Sequence, residues 1–110
     1  MNDVIAVLTN APDEATARKM GAALVEQKLD ACVNILGACE SIYRWQGAIE
    51  SAREVPLWIK TTRNHYPRIE AAIKAMHPYA VPEIIALPVE AGLPAYLAWV
   101  VQETAQPLET

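Results

Sequence analysis

The residues best suited to chemistry lie in segment 77–85, whose sequence is His-Pro-Tyr-Ala-Val-Pro-Glu-Ile-Ile. Within seven positions it offers an imidazole, a phenol and a carboxylate, groups that can bind a metal ion or a polar ligand. Each proline ring clashes with the backbone of the preceding residue, so His77 and Val81 are held in extended conformations. We therefore predict a stiff connector that presents His77, Tyr79 and Glu83 as one wall of a ligand-binding cleft. The sequence does not decide between cis and trans for the two X-Pro bonds, His77-Pro78 and Val81-Pro82.

Each of these polar groups also has a structural interpretation. His77 follows a predicted helix, where an imidazole can bond the last carbonyl groups and is favoured by the helix dipole. Glu83 is flanked by Pro82 and apolar residues, and a carboxylate there needs a partner. We expect that partner to be Lys60, which emerges from an apolar strand. The two would form a buried or interface ion pair, or would line a cleft for an anionic ligand.

Other candidates lie before the connector. Trp45, with Tyr43 and Trp58, belongs to strands of a predicted hairpin, so these rings either pack in a subunit interface or line a ligand pocket. Cys32 lies in an apolar strand and is either an inert buried thiol or a metal ligand. Cys39 follows Gly37-Ala38 and is expected to be more exposed. No Ser-His-Asp or Cys-His arrangement is evident, so we predict no catalytic residue.

Composition narrows the function classes. The chain has 110 residues, 53% of them hydrophobic and 20% charged, which suits a single domain (1–110) that buries apolar surface against other copies. A net charge of −4 with scattered Lys and Arg argues against nucleic-acid binding. Neither a signal peptide nor a membrane-spanning segment is expected. We predict a cytoplasmic protein with reduced cysteines.

Hydrophobic periodicity gives an element order of strand, helix, strand, strand, helix, strand and terminal helix. The predicted strands are 3–9, 31–36, 41–45, 55–61 and 84–89, and the predicted helices are 10–28, 66–76 and 94–102. Asn10 is expected to cap the first helix and Asn64 the second, while His65 is expected on the surface. This order is typical of an α+β, ferredoxin-like split βαβ fold with helices on one face of an antiparallel sheet.

The central hairpin, residues 31–61, is longer than such a domain needs. Gly37-Ala38 interrupts its first strand, and Gln46-Gly47 marks its turn. A long ribbon that carries large aromatic side chains is not expected to stand alone in water. We therefore predict that it pairs with a neighbouring subunit.

Several motifs in order resemble the CutA, or divalent-cation-tolerance, family. They cover almost the whole chain, from about Val4 to Val101, and are specific in combination. The matching segments are Ala-Pro-Asp-Glu-Ala at 11–15, Ala-Cys-Val-Asn at 31–34, Ser-Ile-Tyr-Arg-Trp-Gln-Gly at 41–47, Ile-Lys-Thr at 59–61, the connector at 77–85 and Tyr-Leu-Ala-Trp at 96–99.

The resemblance implies a homotrimer similar to the PII signalling proteins, with clefts between subunits, no established enzymatic activity and a link to tolerance of copper and other divalent cations. Where a copper site is attributed to the family, its ligand positions correspond to Thr9, Met76 and His77. A threonine hydroxyl suits copper poorly, and Met76 completes the apolar face of a helix. We therefore expect copper or another divalent cation to bind weakly or not at all, with His77 and Cys32 as the remaining candidate ligands.

Three functions stay open at this point. The first is a non-catalytic trimer that binds or senses a metal or small ligand at its inter-subunit clefts. The second is a PII-type scaffold, for a small molecule or a protein partner, without a tight metal site. The third is a small ferredoxin-like enzyme, which fold alone does not exclude. The acidic segment after the first strand offers no phosphate cradle for such an enzyme.

Overall fold

A computed structural model of the chain describes residues 3–105. Its elements agree in type and order with those predicted. They are β1 (Val4–Ala11), α1 (Glu14–Glu26), β2 (Cys32–Ile35), β3 (Cys39–Trp45), β4 (Ala48–Thr62), a 3₁₀ turn (Arg63–His65), α2 (Tyr66–Met76), β5 (Ile84–Pro88) and α3 (Pro94–Glu103).

The strands form one antiparallel sheet with the order β2-β4-β1-β5, and β3 pairs with β4 beyond the end of β2. The 15-residue β4 therefore has two partners along its length. Odd-numbered side chains of β1 and β4 point to one face of the sheet, where α1 and α2 cover them. The core formed there is built chiefly from Ile5, Val7, Leu57, Ile59, Met20, Leu24, Ile69 and Ile73.

The end of β1 differs from the prediction. The strand runs to Ala11 because Ala11 pairs with Val55 of β4, so Asn10 is a strand residue and does not cap α1. The cap is Asp13, whose carboxylate accepts a 2.7 Å hydrogen bond from the backbone N–H of Thr16. That bond lowers the pKa of Asp13, because it stabilises the ionised carboxylate.

The start of α2 also differs. His65 is buried rather than on the surface, and its Nδ1 lies 2.7 Å from the Thr62 hydroxyl. Burial lowers the pKa of His65, and a hydrogen bond with the backbone of Thr104, just after α3, opposes that shift. Asn64 lies within the 3₁₀ turn and gives α2 no side-chain cap. The C-terminal end of α3 therefore helps to bury His65, which the local sequence predicted to be on the surface.

The even-numbered side of the sheet is only partly covered. α3 packs there through the buried Val100, but large apolar side chains around it are 39 to 46% exposed. We call this set the open face; it consists of Trp58, Ile85, Leu87, Tyr96 and Trp99. Monomeric proteins rarely leave so much contiguous apolar surface in water, so the open face is suited to contact with other copies.

Candidate functional site

The connector is fixed to the sheet through His77. The backbone of His77 is extended, with φ −83° and ψ 134°, as the following proline requires. Its Nε2 lies 2.6 Å from the carbonyl oxygen of Asn10, and its Nδ1 accepts a 3.1 Å bond from the N–H of Tyr79. Because a carbonyl only accepts, Nε2 carries the proton and the ring is the neutral tautomer that uses both nitrogens. Both X-Pro bonds of the connector are trans.

The ring of His77 supports the ring of Tyr79, with centroids 4.5 Å apart. His77 is itself buried, whereas Tyr79 is partly exposed. The imidazole therefore orients the phenol rather than meeting a ligand directly. Its bonds go to Asn10 and Tyr79 and not to the last carbonyl groups of α2, so it anchors the connector in a way that the sequence did not specify.

Tyr79 and the following residues form one side of a cavity of about 590 Å³. The other side is one face of the β3–β4 hairpin. Its register pairs Tyr43 with Glu50 and Trp45 with Ala48, so alternate residues of the two strands share this face. We call this cavity the acidic pocket; it is lined by Ser41, Ile42, Tyr43, Trp45, Glu50, Glu54, Tyr79, Ala80, Val81, Pro82 and Glu83.

The acidic pocket contains three carboxylates and no basic side chain. Glu54 is only 8% exposed, and among residues 3–105 it forms no ion pair. Burial raises the pKa of the Tyr79 phenol, and the charge of Glu54 and a hydrogen bond to it add to that shift. The pKa of Tyr43 is raised in the same way, by burial and by Glu50. Both phenols therefore stay protonated and can donate to the neighbouring carboxylates.

Three of the five predicted cleft residues, Trp45, Tyr79 and Glu83, line this pocket. His77 supports it from behind, and Lys60 lies elsewhere. The predicted Lys60–Glu83 pair is wrong for the isolated chain, because Lys60 bonds the side-chain oxygen of Asn34 and Glu83 accepts a 3.2 Å bond from the Asn10 amide.

The sheet register explains the separation of Lys60 from Glu83. Lys60 pairs with Ala6 of β1, whereas Glu83 lies beside Asn10, four residues further along that strand. The backbone positions of Lys60 and Glu83 are therefore roughly 13 Å apart along the strands and about 10 Å apart across them.

The two candidate metal ligands, His77 and Cys32, lie apart in the structure. His77 already uses both ring nitrogens, and Cys32 pairs with Lys60, far from Asn10 and the connector. Met76 packs against the core, as its helical spacing predicted. The part of the chain that the structure describes contains no group of three His, Cys, Asp or Glu residues able to hold a metal ion. This donor set does not fit a tight copper site within one chain.

Thr9 is fully buried, and its hydroxyl has no hydrogen-bond partner. A hard, isolated hydroxyl is a poor copper ligand. Such a group also carries a desolvation cost, because it has given up water without gaining a protein partner.

Glu50 and Glu54 are pocket residues that sequence reasoning missed. A signal for them was present, since the two-residue Gln46-Gly47 turn fixes the register of the hairpin. Counting back from that turn places Tyr43 opposite Glu50 and Cys39 opposite Glu54, as the structure has them. Period-two alternation then puts both carboxylates on the face that carries Tyr43 and Trp45.

A family model and related proteins match this chain over most of its length. The family model for the CutA1 divalent ion tolerance protein matches residues 5–103. The divalent-cation tolerance protein CutA of Thermus thermophilus is 47% identical over 98 residues, which is 89% of this chain and 95% of that protein. Protein CutA of Mus musculus is 45% identical over 92% of this chain, which spans 57% of the mouse protein. No helix within residues 3–105 is long and apolar enough to cross a membrane.

Solved structures give the same result for the fold. CutA from Xylella fastidiosa superposes with a TM-score of 0.91 at 40% identity, covering 94% of this chain and 100% of that one. CutA from Archaeoglobus fulgidus, described as periplasmic, gives a TM-score of 0.90 at 34% identity over 93% and 99% of the two chains. CutA1 from Oryza sativa gives 0.92 at 34% identity over 96% and 97%. The α+β fold with its antiparallel sheet is thus confirmed, and the chain belongs to the CutA1 divalent ion tolerance family.

Proposed function

We propose that this chain is a non-catalytic homotrimer of the cation-tolerance type that binds or senses a small ligand at a cleft beside each long hairpin. The observation that carries the proposal is the acidic pocket, in which hairpin and connector meet around aromatic and acidic side chains. In this proposal the domain is ferredoxin-like and its assembly resembles that of the PII signalling proteins. A cleft of several hundred Å³ with a few convergent polar groups is the usual form of a ligand site.

The open face supports the trimer. Trp58, Ile85 and Leu87 are each more than one third exposed, and they lie on β4 and β5, the two strands that flank β1 in the sheet. The turn end of the hairpin also carries Ile42 and Ile49, which are 72% and 71% exposed. Covering these side chains with other copies would remove a large apolar area from water, the main driving force of obligate association.

Light scattering tests the assembly. The monomer has a mass of 12.1 kDa, so a trimer gives about 36 kDa. Trp58→Glu places a charge on the open face and should give monomers, because a buried unpaired charge is strongly unfavourable in an interface. Lys74→Glu, on the exposed side of α2, is the matched control and should remain a trimer. A wild-type protein that is monomeric at micromolar concentration would contradict the proposal.

We propose that a metal ion binds to this protein more weakly than it would bind to a dedicated copper site. A metal ion at His77 must displace either the bond to Asn10 or the bond from Tyr79. Calorimetric titration of Cu(II) should therefore show a low affinity in the wild type and a lower one in His77→Ala. His65→Ala is the control for loss of a second buried imidazole. Equal affinity in wild type and His77→Ala would remove His77 from any metal site.

The second candidate is a PII-type scaffold that binds a small molecule without any tight metal site. Thr9 and Met76 favour it, because one presents an isolated hydroxyl and the other packs in the core. A thermal-shift screen of metabolites and metal ions separates the two candidates: stabilisation by metabolites alone supports the scaffold. We also propose a cytoplasmic location, and cell fractionation that finds the protein in the periplasm would contradict it.

A further inference from the structure

We propose that the acidic pocket binds a small organic cation, of the alkylammonium or quaternary ammonium class. This inference rests on the ligand-binding cleft of the proposed function and names the chemistry of its ligand. It does not depend on the metal site. Three properties of the pocket lead to it: an uncompensated negative charge, a set of aromatic rings, and carboxylates that are spread rather than clustered.

The charge is the first property. Glu54 is more than nine-tenths buried, lines the pocket and has no cationic partner among residues 3–105. Glu50 and Glu83 line the same cavity, and the residues around them include no Lys, Arg or His. A carboxylate removed from water without a positive neighbour is unfavourable, so the site is electrostatically incomplete without a cation.

The aromatic rings are the second property. Tyr43, Trp45 and Tyr79 line the pocket, and each is about 40% exposed, so their rings are available to a ligand. Aromatic faces attract cations, most strongly when the cation is weakly hydrated, and sets of rings of this kind bind quaternary ammonium groups. The ring of Tyr79 is held in place by His77 from behind, which lowers the cost of ordering it on binding.

The spacing of the carboxylates distinguishes an organic cation from a metal ion. Divalent metals require several oxygen ligands that converge within about 2.5 Å of one point. The described residues contain no such convergent group of three, and the pocket is about 590 Å³ in volume, far larger than a metal ion needs. The two tyrosine hydroxyls can donate to Glu50 and Glu54, which fixes these carboxylates at the walls and leaves the centre for a ligand.

Titration with tetramethylammonium chloride, followed by the fluorescence of the protein and by NMR, tests the inference. Sodium chloride at equal ionic strength controls for salt, and tert-butanol controls for a neutral molecule of similar size. We expect saturable binding of tetramethylammonium only. Glu54→Gln should weaken it at least tenfold, and Trp45→Ala several-fold. Glu40→Gln is the matched control, since Glu40 lies on the same hairpin but on its opposite face, and it should leave the affinity unchanged.

If Glu54→Gln does not fold, Glu83→Gln at an exposed pocket position replaces it, with an expected several-fold loss. Equal binding of tert-butanol, or equal affinity in the pocket variants and Glu40→Gln, would overturn the inference. So would the absence of binding by a folded wild-type protein. In that case a trimer that is stabilised by a neutral or anionic metabolite would leave the proposed function intact. A monomer that responds to no ligand would refute both.

Discussion

The buried carboxyl group of Asp30 gives the sharpest test of how burial affects stability in this protein. It lies between α1 and β2, is 1% exposed, and neither of its carboxylate oxygens has a hydrogen-bond partner. The chain on both sides is tied to β4: the Leu29 carbonyl accepts a 2.6 Å bond from Thr61, and the Ala31 N–H donates a 3.0 Å bond to Lys60. The carboxyl group is therefore held inside the protein. Burial raises the pKa of Asp30 from 3.8 to about 7.

The expected effect on stability follows from this pKa. Ionisation is easier in the unfolded chain than in the folded one, so the penalty is absent below pH 3.8, grows between pH 3.8 and 7, and is complete above that range. A difference of about three pKa units corresponds to about 4 kcal/mol. Asp30→Asn has nearly the same shape but cannot ionise. The variant should thus gain about 4 kcal/mol of unfolding free energy relative to the wild type between pH 4 and pH 8.

Urea unfolding of both proteins at one protein concentration, from pH 4 to pH 8, measures this difference. The change with pH is the informative quantity, because a constant cost of burying the Asn amide cancels. Glu26→Gln, at an exposed position of α1, is the control and should show a difference that varies by less than about 0.5 kcal/mol. A difference for Asp30→Asn that varies by less than about 1 kcal/mol would refute the reasoning, since the carboxylate would then be compensated by a neighbour.

Three further predictions concern stability and are measured by the same urea unfolding at pH 7. Thr9→Val removes a buried hydroxyl without a partner and should stabilise the protein by about 1 kcal/mol; destabilisation would show that the hydroxyl is satisfied. Gly47→Ala introduces a side chain at a φ of +83° in the hairpin turn and should cost about 1 kcal/mol, whereas Gly37→Ala, with open space around it, should cost less; equal losses would contradict this. Ile73→Ala should cost about 2 to 5 kcal/mol and Ala75→Gly, on the exposed side of α2, about 1 kcal/mol. A larger loss of stability for Ala75→Gly than for Ile73→Ala would show that Ile73 is not a core residue.

The sequence predicted the parts of the fold that depend on local rules. The X-Pro rule predicted the extended backbone at His77, and the Gln46-Gly47 pair predicted the hairpin turn, where both residues have positive φ. The end of β1 was mistaken because Asn10 and Asp13 are both good helix caps, and only the pairing of Ala11 with Val55 decides between them. That pairing joins segments 44 residues apart, which local patterns do not reveal.

For the site as well, the features that depend on local sequence were predicted and those that depend on distant contacts were not. The structure places Trp45, Tyr79 and Glu83 around one pocket, and their role in binding a ligand stays a prediction. Lys60 does not pair with Glu83 within one chain, because the order of strands separates them and this order is a non-local property; a pair across subunits stays a prediction. His65 was placed on the surface because the contact that buries it comes from the end of α3, about 40 residues later. The trimer, its PII-like assembly and the ligand stay predictions.

Native mass spectrometry of the purified protein with tetramethylammonium tests the central claim most directly, because it reports subunit number and ligand number in one spectrum. The account predicts a species of three chains, about 36 kDa, that carries up to three tetramethylammonium ions, one for each acidic pocket. Glu54→Gln should keep the trimer and lose the ions. A single chain of 12.1 kDa, or a trimer whose ligand number is the same in the wild type and Glu54→Gln, would contradict it.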